Sequence, residues 1–237
     1  FVVAWFASHL VGAEVVPANP LMSGRELAFL AEKCQVKAVM GLDLKLGPVA
    51  EMTRLTEVPL LIETSLSSHL PMHLRVPYLL QRRLTGKPKC GEGTKRLTFD
   101  TLYRIGRPIT KPAHDDVDRP AVLQPTGGTT GSPKLAILTH RNLCANVAQL
   151  HVWSHIEPGT ETFLSVLPFF HVYGATCAML SPLSGGATLV LQARFDAVRT
   201  LKLMQKWKPG VALLVPFMMA GLNEEMKRRG CRLEGLR

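Results

Sequence analysis

The chain has 237 residues, of which 46% are hydrophobic and 19% are charged, and its formal net charge is +10. This composition is typical of a globular protein with a substantial core, and it excludes an intrinsically disordered chain. The five cysteines include no Cys-x-x-Cys pair. Their spacing argues against a disulfide framework and a structural zinc site, and it favours a reducing compartment.

The first predicted helix covers residues 1–11, an apolar segment without an initiator methionine. It lacks the basic segment and the small-residue cleavage site of a signal peptide. The sequence stops directly after another helix-like segment, near Leu236. We therefore expect the 237 residues to be a fragment of a longer protein.

Short apolar segments alternate with helical patterns along the chain. A capping box formed by Ser23 and Glu26 predicts the start of a helix that continues to about Cys34. Predicted strands cover residues 14–17, 37–40, 59–63, 121–124, 136–138, 163–167, 187–191 and 211–215. Further predicted helices lie between the second and third of these strands and at residues 139–155, 172–183, 196–207 and 217–229. This alternation predicts an α/β fold with largely parallel sheets flanked by helices.

Residues 162–193 carry no formal charge, and the stretch is long enough for a membrane span. However, Pro168, Pro182 and the pair Gly185-Gly186 interrupt it, and both of its ends have strand-like patterns. We therefore predict a buried unit of strand, helix and strand.

Residues 64–117 are rich in proline, glycine and basic residues, and we predict an irregular insertion there. From His73 to Lys111 the sequence has ten Lys or Arg residues and two acidic residues. Two interpretations stay open, a solvated surface insertion and a patch at about 73–111 that contacts an anionic membrane. Nucleic acid is the weakest alternative, because no recognition motif accompanies the charge, and we expect no nucleic-acid partner.

Two pairs of histidines have the i, i+4 spacing that can bind a metal ion on a helix. They are His69 with His73 and His151 with His155. Neither pair has a Cys, Asp or Glu nearby that would complete a ligand set, so we predict no metal site in the protein.

The segment at residues 126–134, TGGTTGSPK, lies between two predicted strands. Its three glycines allow a positive φ and let backbone N–H groups approach an anion, while its threonines add hydroxyl donors and Lys134 adds a positive charge. Hydrogen bonds to a charged partner contribute about 1.5–3 kcal/mol each, so these donors can hold a polyphosphate. Pro133 excludes a Walker loop, and a Rossmann fingerprint would open directly into a helix. The alternative is a tight polar hairpin, which would not require this alternation of Thr and Gly.

A second informative segment is LPFFHVYG at residues 167–174, which follows a predicted strand. Ligands of parallel sheets bind at the carboxyl ends of the strands, so His171 and its neighbours are candidates for contact with a substrate. The alternative is a histidine whose polar atoms are satisfied within the core.

The segment TGGTTGSPK resembles the phosphate-loop signature of the AMP-forming, adenylate-forming superfamily, which includes acyl-CoA synthetases, luciferases and adenylation domains. The sequence departs from that signature at Pro125, where many members have an aromatic residue, and at Leu135, where glycine is usual. Together with LTHRNLCANV at residues 138–147, the segment is most similar to long-chain fatty acid–CoA ligases of the bacterial type.

The resemblance covers nearly all of the chain, and only residues 64–117 match loosely. It implies that residues 1–237 are part of the large N-terminal AMP-binding domain of the adenylate-forming fold, without the C-terminal domain. It also implies a reaction in which Mg²⁺-bound ATP and a carboxylic acid, here a fatty acid, give acyl-AMP and pyrophosphate. The acyl group then passes to CoA and AMP is released. Later adenine- and Mg²⁺-binding motifs would follow Arg237, so we expect the isolated fragment to be inactive.

The same resemblance assigns roles to individual residues. Phosphate contacts would come from Thr126, Gly127, Gly128, Thr129, Thr130, Gly131 and Lys134, and the catalytic residues would be Lys134, Thr129 and His171. The acid would lie beside His171, and its acyl path would pass Phe169, Phe170, Tyr173 and Gly174, where the small glycine leaves space.

Several alternatives remain open after the resemblance. The enzyme could act on aromatic or short acids, or it could be an acyl-AMP ligase that passes its product to a carrier protein. The chain could also be a non-catalytic nucleotide-binding remnant. We expect a cytoplasmic protein. Peripheral contact with the inner membrane surface through residues 73–111 stays open.

Overall fold

The computed structural model describes residues 1–67, 70–126, 134–155 and 158–233. The chain divides into two compact units. Unit 1 comprises Phe1–Pro17 and Lys111–Arg237, and unit 2 comprises Ala18–Thr110. Helix α1 (Val2–Leu10) opens unit 1, as the apolar pattern at the start of the chain predicts.

Unit 2 contains a parallel sheet of three strands. Its elements, in chain order, are α2 (Gly24–Lys33), β1 (Ala38–Leu42), a 3₁₀ helix (Asp43–Lys45), α3 (Leu46–Leu55), β2 (Leu60–Thr64), α4 (Met72–Thr85), β3 (Lys95–Thr98) and α5 (Phe99–Ile105). Strand β2 lies between β1 and β3. The predicted capping box is present, because Ser23 and Glu26 satisfy each other's backbone N–H groups at the start of α2.

The predicted irregularity of residues 64–117 is wrong, since α4, β3 and α5 all lie there. The core of unit 2 is built by apolar side chains of α2, α3 and β2, such as Ala28, Met52 and Leu61. Helix α4 buries one residue, Tyr78. The prolines, glycines and basic residues of this stretch favoured an irregular interpretation, and the apolar residues of α4 are mostly exposed instead of lying in a core.

Unit 1 continues after α1 with a hairpin and a second parallel sheet. Its elements are β4 (Pro120–Thr126), β5 (Lys134–Thr139), α6 (His140–Ser154), β6 (Thr162–Ser165), α7 (Val172–Ala175), a π-helical segment (Thr176–Leu180), α8 (Ser181–Ser184), β7 (Thr188–Leu191), α9 (Ala197–Trp207), β8 (Val211–Leu213) and α10 (Pro216–Arg229). Strand β6 lies between β7 and β8, and both pairings are parallel. Strands β4 and β5 pair in the antiparallel direction. The predicted α/β fold with largely parallel sheets is confirmed, and this hairpin is its antiparallel part.

Two local predictions for unit 1 have different outcomes. The uncharged stretch at residues 162–193 forms a strand, a helical segment and a strand, as predicted. In the described parts of the chain, no helix is both long and apolar enough to cross a membrane. The predicted strand at residues 14–17 is reduced to one parallel bridge between Val15 and Val122.

Unit 1 has two clusters of buried apolar side chains. The first contains Leu164 of β6 and Leu201 of α9. The second contains Trp5 of α1 and Val122 of β4. Phe169, which follows β6, packs against both clusters. The segment after β6 is therefore held in place from two sides.

Candidate functional site

The β4–β5 hairpin carries both ends of the predicted phosphate loop. Thr126 and Lys134 form its last residue pair, and the Thr126 hydroxyl donates a hydrogen bond to the Lys134 carbonyl over 3.1 Å. Both residues are exposed. Five predicted phosphate contacts, Gly127, Gly128, Thr129, Thr130 and Gly131, lie outside the described residues. The hairpin thus holds the two ends of the loop side by side.

Alternation along the strands decides which side chains share a face of the hairpin. Gln124, Thr126 and Lys134 share one face, because residues two apart in a strand and residues directly opposite each other point the same way. The same face carries Val122 and Leu138, which pack in the second core cluster of unit 1. This face is therefore apolar toward the core and polar at the predicted loop.

The two departures from the family signature lie directly opposite each other. Pro125 of β4 pairs with Leu135 of β5, so both side chains point to the other face of the hairpin. Both are half-buried. Neither side chain therefore shares the face that carries Thr126 and Lys134.

A hydrogen bond connects this hairpin to the second segment identified in the sequence. The Gln124 side-chain amide donates from Nε2 to the backbone carbonyl of Phe170 over 3.2 Å. Gln124 was not among the predicted site residues. The only signal in the sequence was an amide side chain at the end of an apolar strand, and its partner is 46 residues away.

Residues 168–174 lie beyond the carboxyl end of β6, the central strand of its sheet, and comprise a turn and the first three residues of α7; the whole segment is called the His171 turn. The His171 backbone N–H donates to the Pro168 carbonyl over 3.1 Å, and the His171 carbonyl accepts from Ala175 over 2.8 Å. His171 is the exposed N-cap residue of α7. His171 thus lies beyond the carboxyl end of a parallel strand, the end at which ligands of such sheets generally bind.

Gly174 is buried, and the reason for a glycine there is close packing. A Cβ atom at this position would lie 2.7 Å from the carbonyl carbon of Pro168 and 3.3 Å from that of Leu167. The space beside Gly174 is thus occupied by backbone atoms. This packing is a sufficient reason for a glycine here, without the space for an acyl chain that the family resemblance implies.

The aromatic residues of the turn have different environments. Phe169 packs against both core clusters, and its ring centroid lies 6.0 Å from that of Phe1. Phe170 is half-buried, while Tyr173 is exposed on one side. Burial raises the pKa of the Tyr173 hydroxyl, with a smaller contribution from the nearby Cys177 thiol, whose own pKa burial also raises. Tyr173 therefore stays neutral and can only donate or accept hydrogen bonds.

The histidine pairs do not assemble a metal site in the described parts of the chain. His151 Nε2 lies 2.8 Å from the Ser181 carbonyl and 3.2 Å from the Ser184 hydroxyl, so its role is structural. His69 lies outside the described residues. Among the described residues, no group of three or more His, Cys, Asp or Glu side chains could hold a metal ion.

The side chains of the hairpin and the turn fit a polyphosphate. Lys134 is exposed, and no ion pair joins it to a described residue. Neither strand of the hairpin nor the turn contains an Asp or Glu. A cationic and hydroxylic site without carboxylates suits an anion.

Comparison with known proteins identifies the family. The family model of AMP-binding enzymes matches residues 1–237, and the chain belongs to this family. Over 224 residues the chain is 32% identical to a long-chain-fatty-acid–CoA ligase of Bacillus subtilis, a match that covers 93% of this chain and 40% of that protein. Over 223 residues it is 36% identical to a 4-coumarate–CoA ligase of Pinus taeda, covering 91% of this chain and 36% of that protein. The chain thus spans less than half the length of these relatives.

A solved structure shares the fold. It is the o-succinylbenzoate CoA synthetase of Bacillus subtilis in complex with an acyl-adenylate intermediate. The match has a TM-score of 0.68 and 22% sequence identity, and it covers all of this chain and 50% of that one.

Proposed function

We propose that the gene product carrying this chain activates a carboxylic acid with Mg²⁺-bound ATP. The acid and ATP give acyl-AMP and pyrophosphate, and the CoA thiol then displaces AMP to form a thioester. One observation carries the proposal. The Thr126–Lys134 pair, at the ends of the phosphate-loop sequence, lies on the hairpin face that Gln124 connects to the His171 turn.

In this proposal the loop acts on the phosphates of ATP. Bound ATP supplies the electrophilic α-phosphorus and the pyrophosphate leaving group. Lys134 neutralises charge on the β- and γ-phosphates, and the hydroxyl groups of Thr129 and Thr130 donate hydrogen bonds to the phosphate oxygens. The N–H groups of Gly127, Gly128 and Gly131 complete the cradle. Thr126 positions Lys134 through the hydrogen bond between its hydroxyl and the Lys134 carbonyl.

The turn acts on the acid in the same proposal. His171 is exposed at the start of α7 and would hold the carboxylate beside the α-phosphate. Phe170 and Tyr173 would lie along the acyl path, while Phe169 supports the turn from the core and Gly174 allows its close backbone packing. Gln124 is a positioning residue, because it fixes the carbonyl directly before His171.

The preferred acid in this proposal is a long-chain fatty acid. The apolar character of the turn and the name of the Bacillus subtilis relative support it. An aromatic acid is the second candidate, which the names of the Pinus taeda relative and of the Bacillus subtilis synthetase favour.

The test is ATP–pyrophosphate exchange by the full-length gene product. Replacing Lys134 by alanine should slow exchange by about 100-fold or more, because the loss of one positioned donor to a developing charge typically has that effect. Lys202→Ala is the matched control, since this exposed lysine of α9 lies outside the hairpin and the turn. Equal exchange by the wild type and Lys134→Ala would refute the assigned role.

A panel of acids separates the remaining alternatives. Exchange that is fastest with long-chain fatty acids supports the preferred substrate, and exchange that is fastest with 4-coumarate or o-succinylbenzoate supports the second candidate. Acyl-AMP that accumulates in the presence of CoA would instead indicate a carrier-protein acceptor. If no acid supports exchange, the proposed activity is wrong and the non-catalytic remnant is correct.

A further inference from the structure

Helix α4 is attached to unit 2 by charged and polar contacts. Arg82 forms salt bridges with Asp43 (Nε to Oδ2, 3.1 Å) and with Glu63 (a guanidinium nitrogen to Oε1, 2.5 Å). The Tyr78 hydroxyl donates to the Asp43 carboxylate and accepts from the Leu66 backbone N–H. Burial, together with Asp43, raises the pKa of Tyr78, so the phenol remains protonated. The inward side of α4 is therefore polar.

The outward side of the same helix is apolar. Leu80 lies two residues from both Tyr78 and Arg82. Since two residues turn a helix by about 200°, the Leu80 side chain points away from the contacts that Tyr78 and Arg82 make with unit 2. Residues four apart line one side of a helix. Four such residues are the apolar stripe of α4, and their exposed fractions are large: Met72 72%, Val76 62%, Leu80 58% and Leu84 79%.

The exposed charges of α4 and of the segment that follows it are positive. Residues 72–91 contain no Asp or Glu. The exposed cations there are Arg75, Arg83, Lys87 and Lys89. None of the four forms a salt bridge with a described residue, in contrast to Arg82. Their charge is therefore available to an external anion.

An apolar stripe beside four exposed cations has a specific chemical complement. A solvated insertion would place polar residues on the outward side of α4, and exposed contiguous apolar surface generally marks an interaction site. An apolar protein partner would explain the stripe without explaining the charge. An anionic phospholipid surface explains both, because acyl chains receive apolar side chains while headgroups attract Lys and Arg.

We propose that α4 is a membrane-docking helix that lies in the plane of an anionic phospholipid surface. The apolar stripe enters the boundary between headgroups and acyl chains, and Arg75, Arg83, Lys87 and Lys89 lie at the headgroups. The contacts of Arg82 and Tyr78 hold the helix in this orientation on unit 2. The proposal goes beyond the proposed function and shares no residue with it.

Flotation of the full-length gene product with vesicles tests the apolar part of the proposal. The vesicles contain equal parts of phosphatidylcholine and phosphatidylglycerol. The double variant Val76→Ser with Leu80→Ser should partition at least about tenfold more weakly, because two buried aliphatic side chains are lost from the interface. Leu21→Ser with Val152→Ser is the matched control, since these side chains are 84% and 75% exposed outside α4. The control should bind as the wild type does.

The charge is tested with a second pair of variants. Arg75→Gln with Arg83→Gln should weaken partitioning by about fivefold for each residue, and high salt or pure phosphatidylcholine vesicles should weaken it for the wild type. Arg199→Gln with Lys202→Gln removes the same charge from the exposed side of α9 and should leave partitioning unchanged.

Three results would overturn the proposal. The first is the absence of flotation with anionic vesicles, and the second is an equal loss of flotation in the α4 variants and their controls. The third is self-association without lipid binding, seen in sedimentation and relieved by the Val76 and Leu80 substitutions, which would assign the apolar stripe to a contact between copies. Pyrophosphate exchange measured without lipid should be unchanged in the α4 variants, so this test and that of the proposed function fail separately.

Discussion

Helices α9 and α4 each lie against a parallel sheet of three strands, but they turn opposite sides to it. Helix α9 places Leu201 and Met204 in a core cluster with Leu164 of β6. Helix α4 places Tyr78 and Arg82 inward instead. A helix can thus be attached to a sheet by apolar burial or by polar and ionic contacts. The kind of contact on its inner side determines which side chains remain on its outer surface.

The two attachments also differ in how they depend on geometry. Apolar burial stabilises roughly in proportion to area, at about 25 cal/mol per Å². A buried charge is stabilised only while its partners stay in place, since an uncompensated buried charge is costly. Removing one side chain from each attachment should therefore destabilise the two units to different extents.

The largest expected effect is on the α9 attachment. Leu201 is fully buried, at 0% exposed. Leu201→Ala should lower the free energy of unfolding of unit 1 by about 4 kcal/mol, because it removes apolar contacts and leaves a cavity. Hydrogen exchange of the β6 and β8 amides measures the loss. The adjacent exposed residue gives the control, Lys202→Ala, which should change the value by about 0.5 kcal/mol or less.

The next effect is on the α4 attachment. Glu63 is buried and pairs with both Arg82 and Arg96. Glu63→Gln should destabilise unit 2 by about 2–3 kcal/mol, because both guanidinium groups lose a charged partner. Hydrogen exchange of the β1 and β2 amides provides the measurement.

An exposed ion pair is the control for Glu63. Asp118 and Arg141 have side chains that are more than half exposed, so Asp118→Asn should leave hydrogen exchange in unit 1 nearly unchanged. Faster exchange in β1 and β2 after Glu63→Gln, together with no change after Asp118→Asn, would show that burial gives the ionic attachment its strength. Equal effects of the two substitutions would contradict it.

The smallest expected effect is on the outer side of α4. The double substitution Val76→Ser with Leu80→Ser should change the free energy of unfolding of unit 2 by about 0.5 kcal/mol or less, because neither side chain is buried. Urea unfolding without lipid is the measurement. A loss above about 1 kcal/mol would mean that the apolar stripe packs within the chain.

Sequence patterns predicted most of the helices and strands of the fold but missed α4, β3 and α5. The capping box of α2 and all three strands of the β6 sheet follow from local signals, because short-range hydrogen bonds and apolar segments are visible in the sequence. Helix α4 was missed because its inward contacts join Tyr78 and Arg82 to carboxylates 19 to 39 residues away. No periodic pattern encodes such pairs.

For the candidate site, the local residue patterns could be identified in the sequence, but the contact between its two segments could not. The loop chemistry around Lys134 and the place of His171 after a strand followed from residue types and their order. The Gln124–Phe170 hydrogen bond could not be predicted, because it depends on how the hairpin lies against the turn. The assignment of individual site residues to ATP and to the acid remains a prediction.

The backbone contact at Gly174 limits what this glycine can indicate about the substrate. At position 174 the carbonyl group of Pro168 already requires glycine, whatever acid is bound. Rotamer changes cannot relieve a clash with backbone atoms. In this chain the glycine at position 174 is therefore explained by backbone packing and carries no information about the length of an acyl chain.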